Sequence, residues 1–374
     1  MNPQQLFCPN LDCPARGQVG KANIRVHSQK DKRCLCEVCG QTFTTTTGTI
    51  FYRLRSDPQL VMWVIGLMAY GCPRQAIVKT FGLDERTVCE WQTRAGKHCH
   101  QVHEHLVENS QHDLQHVQAD EIKVKIQKGT IWMALAIWVP TRLWLGGVIS
   151  PQRDGDLIQA LADKVRKMAL CRPLLLAVDG LASYVSAFRN AFRSKFPRPE
   201  GERGRCKMVS WPDIAIVQVV KQRIDGVLNI ERRIVQGAKD TVERLIQTTQ
   251  GQGVINTAFI ERLNATFRQR INALTRRTRT LAQRAETLAA GMYLVGCFYN
   301  FCDFHHSLRL KLSVGSFGHH WVQRTPAIAA GLTDHLWTPT ELLNFKVPPP
   351  RWKLPKQRGR PSTVMLQLAH QWAT

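Results

Sequence analysis

Leu174-Leu175-Leu176-Ala177-Val178-Asp179-Gly180 is the stretch on which the reading of the fold turns. Its apolar run shows no alternation, which suits a strand buried on both faces, as in a parallel sheet. The acid and glycine that follow put a carboxylate at the strand's carboxyl end, where open α/β sheets bind ligands. Upstream, His116 to Ile126, Thr130 to Val139 and Leu143 to Ile149 have strand character and are separated by the turn signals Lys128-Gly129 and Pro140-Thr141. They read as a three-stranded meander, joined to Leu174–Val178 by a crossover helix over Asp156 to Met168. Downstream come a helix over Leu181 to Phe192, a basic loop, candidate strands Ile214 to Val220 and Val227 to Val235, and a long helix through Glu261. Meander, crossover helix, parallel strand and late helix form the order of an RNase H-like α/β fold with a mixed sheet.

The rest of the chain divides around this core. Residues 1–50 read as a small zinc-ribbon module, 51–110 as a helix-turn-helix domain, 111–312 as the catalytic core and 313–374 as a basic C-terminal extension. The chain is therefore expected to be multidomain. Its 374 residues carry 51 Lys and Arg against 28 acids, a formal charge of +23. That charge is spread along a chain that is 44% hydrophobic, which points to a folded protein working on nucleic acid rather than to a basic tail. Met1 to Phe7 is polar and gives no signal peptide. Leu60 to Tyr70 and Ile131 to Val139 fall short of the roughly 20 residues of a spanning helix. The expected location is the cytoplasm, in association with the nucleoid, with no membrane partner.

In a reducing compartment twelve cysteines are not a disulfide framework, and the N-terminal ones call for a metal. Cys8 and Cys13 form one pair and Cys36 and Cys39 another, the second in the knuckle Cys36-Glu37-Val38-Cys39-Gly40. Two such pairs can close a tetrahedral structural zinc site, and ligation supplies folding energy that so small a core lacks. Cys34 is a spare that could replace Cys36. Further on, Pro73 opens a helix, Gly82 makes a turn and Asp84 caps the next helix. That helix presents Glu85, Arg86, Gln92 and Arg94, while Val88 and Trp91 face inward. Arg86 and Arg94 are the candidate readers of DNA.

Three carboxylates carry the candidate chemistry. Asp120 lies in the first strand, Asp179 at the end of the buried one, and Glu261 on a helix whose apolar face is Phe259, Leu263, Phe267, Ile271 and Leu274. Thr257, Glu261, Asn264 and Arg268 line a separate polar face at about 100° per residue. Brought together, the acids repel unless a divalent cation neutralises them, and oxygen ligands of this kind suit Mg²⁺ or Mn²⁺ for phosphoryl transfer. Glu121 could replace Asp120, although alternation turns only one of the two toward the site; Asp120 is favoured because it shares a face with Ile122 and Val124. Arg262, Asn264, Arg268, Arg270, Arg276, Arg277, Arg279 and Arg284 continue as a track for DNA phosphates. Pro355 to Pro361, with Arg358 and Arg360, is AT-hook-like and suits a narrow minor groove.

These residues resemble the DDE transposases of small bacterial insertion sequences, the insertion-sequence-one type. The resemblance rests on the cysteine pairs, on Gly71-Cys72-Pro73-Arg74-Gln75-Ala76, on Ala119-Asp120-Glu121, on Ala177-Val178-Asp179-Gly180 and on Ile260-Glu261-Arg262-Leu263-Asn264. Tyr299-Asn300-Phe301-Cys302 with His305, and Arg324-Thr325-Pro326-Ala327 leading into Ala330-Gly331-Leu332-Thr333, belong to it too, so that it runs from about residue 7 to 343. It implies that Asp120, Asp179 and Glu261 are the catalytic triad and that Arg268 contacts the element's terminal DNA. Relatives often carry the zinc and helix-turn-helix portion in a separate reading frame; here it is fused. A transposase binding double-stranded element ends and target DNA, as a dimer or higher oligomer, is the first expectation. An inactive DNA-binding regulator derived from a transposase and an RNase H-like nuclease are the alternatives.

Overall fold

The computed structural model describes residues 2–126, 129–198, 204–251, 253–275, 284–313, 319–355 and 359–373. They form two compact units, Met1–Val61 with Leu343–Thr374, and Met62–Leu342. Leu343–Thr374 thus groups with the N-terminal residues.

In the first unit, β1 (Ile24–Ser28), β2 (Arg33–Cys36) and β3 (Thr42–Thr44) make an antiparallel sheet in that order. Strands this short cannot enclose a core alone. The tail completes it. Trp372, at the end of a helix over Thr363–Trp372, is buried among Cys8, Cys13, Ala15, Ile24 and Phe43, with Leu368 packed alongside. Gln18 Nε2 donates to the Trp372 carbonyl at 2.8 Å, and Arg16 Nε donates to that of Pro350 at 2.7 Å. Gly17 has φ +69°, and a Cβ there would lie 2.6 Å from the Pro349 oxygen. Only glycine fits that approach.

α1 (Pro58–Ala69) spans the boundary at Val61, and in the second unit it is followed by α2 (Arg74–Phe81) and α3 (Glu85–His103). Gly82, at φ 62°, ends α2, and the Asp84 carboxylate caps α3 by accepting the N–H groups of Arg86 and Thr87. Ile77 of α2 and Val88 and Trp91 of α3 are buried. The meander follows as β4 (His116–Ile126), β5 (Gly129–Trp138) and β6 (Leu143–Ser150), then α4 (Gly155–Met168), β7 (Leu174–Asp179) and α5 (Ala182–Ala191). A short ribbon, β8 (Arg193–Lys195) with β9 (Met208–Ser210), leads to β10 (Ile214–Ile224), β11 (Val227–Gln236), α6 (Lys239–Gln250), α7 (Ala258–Arg270) and α8 (Ala285–Cys297). The expected long helix through Glu261 is thus two helices. Gly251 and Gly253, at φ +75° and +129°, break it.

The sheet is six-stranded and mixed, in the order β11-β10-β7-β4-β5-β6. β7 is parallel to both its neighbours, and the other pairs are antiparallel. Opposed residues share a face, so His116, Gln118 and Asp120 lie on the same side as Leu175, Ala177, Asp179, Ala215 and Val217. α6 covers that side with Val242, Leu245 and Ile246, and α7 crosses β4 and β5. α5 meets the opposite side, where the Tyr184 hydroxyl donates to Glu121 at 2.8 Å.

α8 packs against both α3 and β6. Gly96 lets α3 touch it, since a Cβ there would stand 2.4 Å from Ala290 Cα, and Gly296 lies under the Trp144 ring, 2.1 Å from where a Cβ would fall. Asn300 finishes the edge of β6, donating to the Trp144 carbonyl and accepting its N–H, each at 2.9 Å. Among the described residues no helix is long and apolar enough to cross a membrane.

His116 on β4 is 1% exposed, and its Nδ1 lies 3.0 Å from Thr249 Oγ1 of α6. Burial, then the charge of Arg142, lowers it from its ordinary value of 6.5 to about 3. A histidine held neutral when folded but free to protonate when unfolded contributes stability that is complete above pH 6.5 and lost as pH falls from there toward 3. Thermal unfolding followed by circular dichroism should show the midpoint dropping across that window, and less steeply in His116→Gln. Equal slopes in the two proteins would show that His116 is not the group responsible.

Candidate functional site

Two groups of metal-type ligands stand out, one in each unit. In the first, the sulfurs of Cys8, Cys13, Cys36 and Cys39 all lie within 4.8 Å of one another. Cys8 and Cys39 are 3.7 Å apart and Cys13 and Cys36 3.8 Å. A tetrahedral site with metal–sulfur bonds of about 2.3 Å has sulfur–sulfur edges of about 3.8 Å, so the cluster is compatible with a zinc ribbon. The Cys36 carbonyl accepts the N–H of Gly40 at 2.8 Å, and Gly40 has φ +68°, which turns the knuckle back on itself. Cys34 is buried but outside the group, which leaves Cys36 as the β2 ligand. Burial pushes the Cys8 thiol up and that of Cys13 to about 12, and neighbouring sulfurs add to both. Thiolates this crowded persist only around a cation.

In the second unit the ladder between β4 and β7 ends at Gln118↔Ala177, and that between β7 and β10 ends at Asp179↔Val219. The same register carried two residues further sets Asp120 beside Asp179. One oxygen each of Asp120, Glu121 and Asp179 lies within 4.8 Å of the others. Strand alternation predicts that only one of Asp120 and Glu121 turns toward the site. Both reach it, because β7 stops at Asp179 and its end is open to side chains from either face.

Each acid is held separately. Asp120 Oδ2 accepts from Asn264 Nδ2 at 2.8 Å, and its Oδ1 accepts the Glu121 N–H at 2.8 Å. Glu121 accepts from Tyr184 and pairs with Arg153, which also lies 3.6 Å from Asp179 Oδ2. Asp179 Oδ1 takes the N–H of Leu181 at 2.9 Å. Burial, then the negative charges of Glu121 and Asp179, pushes the Asp120 carboxyl from 3.8 up to about 7, with the charge of Arg268 opposing. Asn264 is fully buried, and its Oδ1 has no hydrogen-bond partner among the described residues. Clustered carboxylates, with the pKa of Asp120 raised and an unsatisfied oxygen beside them, fit a hard divalent cation.

Glu261 is not in that group. Its Oε1 accepts from Thr257 at 2.7 Å and pairs with Lys221 of β10. Burial raises its pKa, but the Lys221 and Thr257 contacts outweigh this and hold it low. It stands one turn before Asn264 on α7, whose start is fixed from the sheet. Gln118 Oε1 accepts the N–H groups of Phe259 and Ile260 at 3.0 and 3.1 Å, and its Nε2 donates to the Asn256 carbonyl at 2.8 Å. Sequence reasoning misses Gln118, Arg153, Tyr184 and Lys221. Gln118 carries a signal, a polar residue two places before Asp120 in a buried strand; the other three carry none.

The expected DNA contacts are dispersed. Arg86 is exposed near the start of α3, and Arg94 is partly buried further along. Arg262 is exposed and Arg268 half-buried on α7. Arg270 pairs with Asp303, its guanidinium over the Tyr70 ring. Arg360 is exposed. Arg276, Arg277, Arg279 and Arg358 lie outside the described residues. Compared with known proteins, the chain matches no family model and none of the curated proteins.

The cysteine geometry separates two neighbours cleanly. Cys36→Ser should lose bound metal, measured by elemental analysis of the purified full chain, and should make the N-terminal unit sensitive to protease. Cys34→Ser should keep its metal. Loss of metal from Cys34→Ser alone would reverse the ligand assignment.

Proposed function

We propose that the chain is a DNA transposase of the DDE type. On this reading it has an RNase H-like catalytic core, a helix-turn-helix that reads the element's ends and a zinc ribbon. The observation that carries this is the placement of Asp120 and Asp179 side by side on neighbouring parallel strands, with the helix bearing Glu261 pinned to the same strand through Gln118 and Asn264. Two parallel strands beside an antiparallel meander, in the order β10-β7-β4-β5-β6 with β11 added at the edge, support an RNase H-like reading of the mixed sheet. The excess of basic residues supplies the charge for a DNA partner.

Asp120, Asp179 and Glu261 would hold Mg²⁺ or Mn²⁺. Such a cation, when bound, activates a water or hydroxyl and stabilises the leaving 3′ oxygen. Asn264 orients Asp120 by donating to Oδ2, and the N–H of Leu181 orients Asp179. Thr257 fixes one oxygen of Glu261. Arg153 keeps Glu121 turned toward Tyr184 and offsets the charge beside Asp179. Arg268 stands two turns beyond Glu261, placed to hold the phosphate of the strand being cut. In the helix-turn-helix, the Asp84 cap starts α3 so that Arg86 projects from its first turn.

Phosphoryl transfer asks mainly for positioning and charge neutralisation, so binding and cutting should separate. Asp120→Ala, Asp179→Ala and Glu261→Ala are each expected to bind a duplex carrying the DNA that flanks the gene as the unmodified chain does. Each should cut it slower by a factor on the order of a hundred or more with Mg²⁺ or Mn²⁺, the usual effect of removing one group that stabilises a transition state. Unimpaired cutting by Asp179→Ala would reject the triad. An unmodified chain that binds but never cuts would instead be the DNA-binding regulator.

Recognition of the ends has its own check in a gel-shift assay. Replacing Arg86 and Arg94 together by alanine should weaken binding by about 1–3 kcal/mol for each bidentate base pairing removed. An unchanged shift would place the reading surface elsewhere.

A further inference from the structure

β10 and β11 continue past the sheet as a two-stranded ribbon. The ladder from β10 to β7 stops at Val219↔Asp179, whereas that from β10 to β11 runs on to Ile224↔Val227. At about 3.3 Å per residue the ribbon overhangs the carboxylates by roughly 17 Å. From Lys221 to Arg223 and again from Val227 to Asn229 its residues are exposed.

The two faces of this ribbon differ in charge. The register opposes Val219 to Arg232, Lys221 to Ile230 and Arg223 to Leu228, and Val219 itself opposes Asp179. One face therefore continues the side of the sheet that carries Asp120 and Asp179, and it bears Lys221, Arg223 and Arg232 with no acid of its own. The other bears Val220, Gln222, Asn229, Glu231 and Arg233, where Glu231 and Arg233 pair with each other. β11 is an edge strand, and charge on an edge discourages unwanted strand addition. That purpose gives no reason to segregate cations on one face. Lys221 ties the basic face to the site by pairing with Glu261. Arg232 anchors it from the other strand, its Nε donating to the Ile255 carbonyl at 2.9 Å in the loop before α7.

We infer that this face of the ribbon is a track for the phosphate backbone of double-stranded DNA, guiding one strand to the carboxylates; the inference rests on the DNA-cleaving function proposed above. The cations lie on alternate residues of one strand and on its partner, spaced along a line that ends at Asp179. A polyanion laid along it meets Arg223 first, then Lys221 and Arg232, then the acids. The charge-balanced face would repel and attract it equally.

The test compares the two faces in the full chain. Binding to a short fluorescein-labelled duplex of mixed sequence is followed by anisotropy over a range of KCl concentrations, with circular dichroism confirming the fold of each variant. Each phosphate contact contributes about 0.9 to the slope of log K against log salt concentration. Arg223→Ala should reduce the slope by about that amount, Arg223→Lys should retain it, and Arg233→Ala on the opposite face should leave it unchanged. An unchanged slope in Arg223→Ala, or an equal reduction in Arg233→Ala, overturns the inference. So does an unchanged slope with an altered sedimentation coefficient, which would make the ribbon a contact between copies of the chain. Cleavage by the same preparations with Mg²⁺ tells the two readings apart. If the unmodified chain cuts, Asp179→Ala does not and the Arg223→Ala slope is unaltered, the track fails and the function stands. If the slope falls as expected but nothing cuts, the track stands as a DNA contact and the proposed enzyme fails.

Discussion

The Gln118 side chain is the interaction on which the carboxylate face depends. Its oxygen takes the N–H groups of Phe259 and Ile260, and its nitrogen reaches the Asn256 carbonyl. A helix begins with N–H groups that no residue of its own can satisfy. Here a strand supplies the acceptor, so α7 starts at one point on β4 and nowhere else. His116 and Asp120, two residues to either side, bind α6 and the next turn of α7. Three alternate polar residues of one buried strand thus fix two helices. Hydrogen bonds that an apolar strand could not direct offset part of their cost of burial, although His116 Nε2 has no partner among the described residues.

The two metal-type clusters show the same electrostatic problem with different answers. Four sulfurs crowd together in the first unit, and burial favours the neutral form of Cys8 and Cys13. In the second unit three carboxylates converge, and the chain lends them Arg153 while Lys221 takes Glu261. Both cations come from segments at the rim, the turn after β6 and the overhanging end of β10, and neither belongs to the packed layers. The framework beneath is held closely, by glycines that admit Ala290 and Trp144 and by the amide of Asn300 that closes the edge of β6. Compensating charge sits at the rim, and fixed geometry lies under it.

Most of the sheet was legible because burial on two faces and on one face leave different patterns. The unbroken Leu174–Val178 run and the three meander strands appear within a residue or two of their expected limits. The break between α6 and α7 was not, although Gly251 and Gly253 mark it, because the apolar spacing on either side happens to stay in phase. Cys36 over Cys34 could not be settled from spacing, since both lie on the buried side of β2 and only the folded chain brings Cys36, not Cys34, to Cys13 and the knuckle after β2. Glu121 joins the acids against alternation, which describes a strand within a ladder and not one whose neighbour has ended. Lys221 and Arg153 are ordinary surface residues in the sequence. What places them is where a ladder stops, a property of two strands together.

Trp372 shares its core with Cys8 and Cys13, and its carbonyl is bonded to Gln18, a residue 354 positions earlier. Contacts that close so long a loop form late, since the entropy of closure comes before any reward. During synthesis the cysteine module emerges well before the helix over Thr363–Trp372, and it must wait, its core open on one side, until that helix leaves the ribosome. A chain interrupted anywhere in the sheet would carry its cysteines without that cover. The cysteine cluster is thereby closed over by a segment made long after its own residues.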